Sequence, residues 1–350
     1  LYATLNPGRA DRSVGSFVIH MSGPKAGRWN DYAMSGAEAQ GDIIDLIRLS
    51  CGFNTAADAL KEARAFLGLE HESPELARAR AEAAERAKAK RAEEAARQEE
   101  KRQKVRGWAK SLDLASREDI RGTPVDLYLR NRAIDLVKMD RVPHALRYHA
   151  QCNYLDTIEE VDPETGEVST KQVRHQLPAM VAAIVNGRGE IIAAHRTYLA
   201  FDETGRWGKA KIPEAKKVLG DYAGGSIRLS TGIGPRGGKG ARLSDCPPGT
   251  RVYIAEGIET ALSVMVVKPE ARVLAAISLA NMAKVELPPN VTEVVLLSDG
   301  DDHPQAVAAF EAAVQAHAAK GRLVRVWRSE VPGEDFNDAL IRARNGGQAA

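Results

Sequence analysis

VVLLSDGDDHPQAV, residues 294–307, is an apolar run that ends in Asp299, Gly300, Asp301 and Asp302. Carboxylates at the end of a buried strand are costly unless a cation, a hydrogen-bond network or solvent compensates them. The flanking sequence sets the architecture. TEVVLLSD (292–299) reads as a strand and PQAVAAFEAAVQAHAAKG as a helix closed by Gly321. The same alternation recurs on both sides. RVYIAE (251–256) precedes the helix IETALSVMVV, ARVLAAIS precedes the short helix LANMAKVEL, and RLVRVWRS precedes the helix DFNDALIRARNGG. Near-continuous apolar strands alternating with helices specify an α/β fold, a parallel sheet flanked by helices. Ligands meet such a sheet at the carboxyl ends of its strands.

That rule puts Glu256, which ends the first of these strands, on one edge with Asp299 and Asp301, and Gly257 and Gly300 allow close backbone approach beside them. Clustered carboxylates repel one another, which raises their pKa values unless a hard divalent cation compensates. Oxygen-only ligands suit Mg²⁺ or Mn²⁺, and phosphoryl transfer is the simplest chemistry to fit. The competing reading is helix capping: Asp299, Asp301 or Asp302 before PQAVAAF, and Glu256 before IETALS, would satisfy free amides and the helix dipole. His303, at a helix start, is expected to be exposed. His195 is expected to be a hydrogen-bonded strand residue rather than a general base. GIGPRGGKG lacks the closing residues of a P-loop and reads as a flexible linker.

Upstream, the 350 residues are too many for one small core and suggest two or three domains. Residues 1–72 read as a small ββαα module: two short strands within GSFVIHMSGPKAGRWNDYA, then helices in GDIIDLIRLSCGF and TAADALKEARAFLGL. Residues 73–108 are almost wholly Ala, Glu, Lys, Arg and Gln, a solvated helical linker with no apolar stripe to bury. Residues 109–247 open with a helix, TPVDLYLRNRAI, and become β-rich from Leu146 to Leu229, including an acidic hairpin tip, VDPETGEVST. A boundary falls near Pro247 to Gly249, leaving 248–350 for the parallel sheet. The net charge is only +2, but residues 186–242 hold eleven Lys or Arg against five Asp or Glu. A basic block of this kind attracts polyanions. Cys51, Cys152 and Cys246 are far apart, so neither a disulfide framework nor a thiolate zinc site is encoded. No apolar run is long enough to span a membrane and no signal peptide is present, so a cytoplasmic location with no membrane partner is expected. Leu1 rather than Met opens the chain, which reads as a piece of a longer protein.

A strand ending in Glu-Gly, a helix starting IETALS and a strand ending in Asp-x-Asp resemble the Toprim domain of bacterial primases, topoisomerases and certain nucleases. The closing PGEDFNDAL resembles the ending of primase-like Toprim proteins carried by phages, plasmids and other mobile elements. HRTYL (195–199) and the run from GKAKIPEAKKVLG to GGSIRL (208–229) resemble the basic half of the primase core in the same proteins. The resemblance covers residues 120–345 and implies a DNA primase, a nucleotidyltransferase of DNA replication. Glu256 would be a metal ligand or acid–base group, with Asp299 and Asp301 as metal ligands and Asp302 and Asp335 serving a second metal. Arg196, Lys209, Lys211, Lys216, Lys217 and Arg228 would hold the single-stranded DNA template or a nucleoside triphosphate, with Trp207 stacking on a base. A replicative helicase is a candidate partner. GRWNDYAMSGAEAQGDIIDLIRLSCGF resembles a primase zinc ribbon in outline, but Ser35, Gly36 and Ala37 stand where a CxxC is expected, so no zinc is expected. Either this module folds without metal or the likeness is accidental. A Toprim nuclease and a non-catalytic nucleic-acid-binding module remain the alternatives; nothing marks Tyr128, Tyr148 or Tyr198 as a topoisomerase tyrosine.

Overall fold

The computed structural model describes residues 1–68, 74–135, 142–161, 168–234, 236–331 and 333–346, in two compact units, Leu1–Ala95 and Ala96–Ala350. Among the described residues no helix is long and apolar enough to cross a membrane.

The first unit carries four strands where two were expected. β1 (Tyr2–Thr4), β2 (Phe17–Ile19), β3 (Trp29–Asp31) and β4 (Gln40–Gly41) form one antiparallel sheet in sequential order. The outer two are too short to show an alternating pattern in sequence. α1 (Ile43–Cys51) starts at a capping box between Asp42 and Asp45, and α2 (Ala56–Phe66) starts at Thr55. With so few apolar residues, the unit is held by a small core and a buried carboxylate. Phe17 stacks on Trp29 with centroids 4.9 Å apart, and the indole N–H donates to the Asp42 carbonyl at 3.0 Å. Gly41 lies against the same indole, where a Cβ would stand 2.7 Å from the ring. Asp31, with no exposed side-chain surface, accepts from Asn6 Nδ2 at 2.7 Å and from the Ala33 amide at 2.9 Å, and pairs with Arg9 at 3.2 Å. These bonds supply the compensation that a buried charge requires.

The charged stretch is the single helix α3 (Pro74–Ala115), which extends past the expected end of the linker. One face of its last turns is buried: Ala109 and Leu112 pack on the following sheet, and Asp113 pairs with Arg147 at 3.0 Å.

In the second unit, α4 (Pro124–Asn131) leads to an antiparallel sheet of β5 (Leu146–Val161), β6 (Val168–Val185), β7 (Ile191–Phe201) and β8 (Trp207–Lys209), with β9 (Lys216–Leu219) also pairing with β7. Most of the expected acidic hairpin tip lies outside the described residues. After β10 (Ile227–Thr231) comes the expected alternation: β11 (Thr250–Ala255), α5 (Ile258–Val267), β12 (Arg272–Ala275), α6 (Leu279–Met282), β13 (Val291–Ser298), α7 (Pro304–Ala319), β14 (Leu323–Arg328) and α8 (Phe336–Gly346). The strand order is β10-β12-β11-β13-β14, and β11 to β14 run parallel, as expected. One core packs α5 and the inner face of this sheet on β6, β7 and α4 through Leu129, Met180, Ile184, Leu262 and Val295; the other face buries Ile254, Met282 and Phe310.

Two features run against the expected punctuation. β10 is antiparallel to β12, so hydrogen bonds of the C-terminal sheet reach back across the Pro247–Gly249 stretch. The glycine-rich segment, expected to be a linker, has its described ends joined to each other. Gly240 N donates to the Gly232 carbonyl at 2.9 Å and Ile233 bridges Lys239. A Cβ on Gly240 would meet the Thr231 carbonyl at 2.1 Å, so only glycine fits this close approach.

Candidate active site

The parallel strands deliver Glu256 and Asp299 to one edge, as the strand-end rule requires. Glu256 follows β11 directly, beside the Leu279 amide, which favours its ionised form. That contact depends on the turn leaving β12. Ile277, in the left-handed region at φ 77°, donates its N–H to the Glu256 carbonyl at 2.9 Å. A β-branched residue in that region is strained, and such strain clusters at functional sites. Asp299 follows β13. Gly300, at φ 74°, lets the next turn lie against Gly333 and Glu334, where a Cβ would stand 3.3 Å from the Gly333 nitrogen. Through this contact Asp335 arrives beside the other acids.

Mutual repulsion shows in the acids themselves. Burial, reinforced by Glu256 and Asp335, pushes the Asp299 carboxyl up to about 7, against the opposing pull of Thr260 and Lys216. Glu256 is raised by burial and by Asp301, and is relieved by the Leu279 amide and Lys216. Asp299 Oδ1 is buried and has no hydrogen-bond partner. Among the described residues, no three His, Cys, Asp or Glu side chains cluster tightly enough to enclose a metal ion. A cation that binds one or two carboxylates and completes its shell with water and phosphate fits this arrangement: an orphaned oxygen among mutually repelling acids.

Capping accounts for only part of the acidic set. His303, exposed as expected, is the N-cap of α7 and accepts from the Gln305 amide at 3.4 Å; Asp301 Oδ1 accepts from the His303 amide at 2.9 Å. Asp302 is exposed. Asp335 accepts from the Asp338 amide at 2.7 Å and thereby starts α8.

Strand alternation divides the basic residues into different surroundings. Lys209 pairs in register with Leu199, and Lys216 with Thr197, so both share the face of β7 that carries His195. Arg196 and Lys217 are paired with each other on the opposite face. There Lys217 donates to the Leu155 carbonyl at 2.8 Å and lies over the Tyr154 ring, while Arg196 reaches the Asn153 carbonyl at 3.4 Å. Lys211 pairs with Glu203 on the surface. Arg228 donates to the Asn186 and Gly187 carbonyls and lines a cleft of about 620 Å³ with Arg121, His144 and Lys239. Trp207 packs on Phe201, with centroids 4.1 Å apart. Of the six cations, Lys209 and Lys216 are the pair joined to the acid-bearing helix.

They meet there a residue the sequence reading did not select. Glu259, in the first turn of α5, is 4% exposed. It lies 3.4 Å from Lys209 Nζ and 3.2 Å from Lys216 Nζ, and it accepts the Tyr128 hydroxyl at 2.6 Å. The two lysines hold its carboxyl below the usual range despite burial. Its only sequence signal was a second carboxylate on the apolar helix IETALSVMVV. His195 departs from expectation: buried in β7, its Nδ1 has no partner, and burial with the charge of Lys216 depresses the imidazole to about 4.

Residues 251–345 match the family model of the Toprim domain, and the chain therefore carries a Toprim domain. Residues 101–229 match a domain of unknown function (DUF7146). Among solved structures, a DNA primase domain from Pseudomonas aeruginosa is 16% identical, with a TM-score of 0.39 over 70% of this chain and 77% of that one. A DnaG primase catalytic domain bound to single-stranded DNA is 16% identical, with a TM-score of 0.43 over 71% and 80%. The primase fragment of the bacteriophage T7 primase-helicase protein is 15% identical, with a TM-score of 0.31 over 49% and 61%. No curated protein matches the chain.

Proposed function

We propose that the chain is a primase-like nucleotidyltransferase that makes short primers on single-stranded DNA, with nucleoside triphosphates as substrates and Mg²⁺ or Mn²⁺ as cofactor. The observation that carries this reading is the Toprim acid edge, with two lysines anchored beside it. Asp299, through its orphaned oxygen, and Glu256 are the residues that would hold a metal, with Asp301 on the open side and Asp335 available to a second ion. A metal bound there lowers the pKa of an attacking hydroxyl and neutralises charge on the phosphates. Lys209 and Lys216 bind the triphosphate or template backbone from the other side. Arg196, Lys211, Lys217 and Arg228, which are held by other partners, serve the template path. The setting is cytoplasmic replication of a mobile element, with a replicative helicase as partner.

The deciding experiment is template-dependent incorporation of labelled nucleotides on single-stranded DNA with Mg²⁺ and with Mn²⁺, comparing wild type with Asp299→Ala and Asp301→Ala. Short products lost in both variants support the reading. Shortened template would replace it with a Toprim nuclease, and products unaffected by the substitutions would remove the acid edge from the chemistry.

A further inference from the structure

Tyr128, Lys209, Lys216 and Glu259 come from three separate stretches of the chain yet form one connected group. A single carboxylate lies between two ammonium groups, so one positive charge remains. The lysine side chains are still 36% and 40% exposed on their outer sides. The Glu259 carboxylate, by contrast, is buried, and Tyr128 beside it is 2% exposed, with its hydroxyl pKa pushed up by burial so that it stays a donor. Glu259 thus faces the protein while the lysines face outward. Unrestrained lysine side chains are flexible, and a buried anchor removes that freedom before substrate arrives. Glu259 also lies one helical turn beyond Glu256, so the backbone that sets the acid edge sets the lysine anchor too.

We propose that Glu259 is a positioning residue that fixes Lys209 and Lys216 as a pair of polyphosphate-binding ammonium groups at the rim of the acid edge, with the Tyr128 hydroxyl holding its carboxylate in place. This rests on the reading of these two lysines as phosphate contacts. Glu259 itself touches neither substrate nor metal. Sequence alone would assign it with Glu256 to the acid site, whereas its contacts assign it to the cations.

The test uses inorganic tripolyphosphate as probe, with binding measured by calorimetry in metal-free buffer on the full chain and on Glu259→Gln, Glu259→Asp and Tyr128→Phe. In parallel, amine-specific labelling read by mass spectrometry reports the availability of Lys209 and Lys216 against the exposed Lys284. Thermal unfolding establishes that each variant is folded, and Tyr128→Phe and Glu259→Asp decide the matter if Glu259→Gln is not. Expected is tripolyphosphate binding weakened about tenfold in Glu259→Gln, about threefold in Tyr128→Phe, and partly restored in Glu259→Asp. Labelling at Lys209 and Lys216 rises in the same order while Lys284 is unchanged. Absence of tripolyphosphate binding by wild type overturns the proposal, as does any change in binding without a change in labelling, or the reverse. Loss of primer synthesis with tripolyphosphate binding intact counts against the proposed primase activity and leaves the role of Glu259 standing.

Discussion

The Tyr128 hydroxyl donates to Glu259 Oε1 across 2.6 Å of space and 131 positions of sequence. This one bond joins α4 to the first turn of α5, so the basic antiparallel sheet and the acid edge share a common reference point. The electrostatics of the site follow from it: Lys216, held at Glu259, favours the ionised forms of both Glu256 and Asp299.

Asp299 makes the metal-free protein sensitive to pH. Its carboxyl is raised from 3.8 to about 7, so the folded state holds a proton more tightly than the unfolded chain. The associated stability is complete below pH 3.8 and is lost as pH rises through about 7. Asp299→Asn is therefore expected to stabilise the metal-free protein by roughly 1–3 kcal/mol above pH 7, with the difference vanishing toward pH 4. Urea unfolding across that range checks it.

Divalent cations should act on the same group with the opposite trend. Millimolar Mg²⁺ or Mn²⁺ is expected to raise the thermal midpoint of wild type at pH 8 and to do so much less at pH 5, where Asp299 is protonated. Asp299→Asn should lose most of the shift at both values in a thermal melt with and without chelator.

Neighbouring acids should differ sharply in activity. Asp299→Ala and Asp301→Ala are expected to lower metal-dependent nucleotide incorporation at least about a hundredfold. Asp302→Ala, at an exposed position, should stay within about threefold of wild type. Initial rates at saturating metal and nucleotide separate the two outcomes.

Asn281 tests how the acid edge is braced. Its amide donates to the Gly225 and Ala276 carbonyls at 2.9 and 2.8 Å, and its oxygen accepts from the Gly224 amide at 2.9 Å. Asn281→Ala leaves three buried backbone groups without partners and should cost about 2–4 kcal/mol in equilibrium unfolding.

In the first unit, Asp31→Ala removes the acceptor shared by Asn6, Arg9 and Ala33. A loss of about 2–4 kcal/mol is expected there. Hydrogen exchange should show faster opening of β2 and β3 with no change in β11 and β13.

The parallel sheet was legible because its strands are apolar runs separated by helical patterns, and the acid edge followed from where those strands end. Glu259 was not legible as an anchor, because its partners lie in Tyr128, Lys209 and Lys216, and nothing local reports a contact of that range. The basic run was visible as charge, but only strand pairing determines that Lys209 and Lys216 share one face while Arg196 and Lys217 take the other. The first sheet was legible only by half: β2 and β3 showed through the Gly-Pro turn between them, whereas β1 and β4 are too short for alternation to register and have no such turn to mark them.

β10 gives the molecule an indivisible seam. It lies before the Pro and Gly run that looks like a place to cut, yet it hydrogen-bonds to β12 beyond it. A fragment beginning at residue 248 would leave β12 as a bare edge, ready to pair with another copy. The smallest piece that keeps this sheet whole is therefore longer than the stretch its punctuation marks out, and a cut at Pro247 would keep the acids without the strand that shields their sheet.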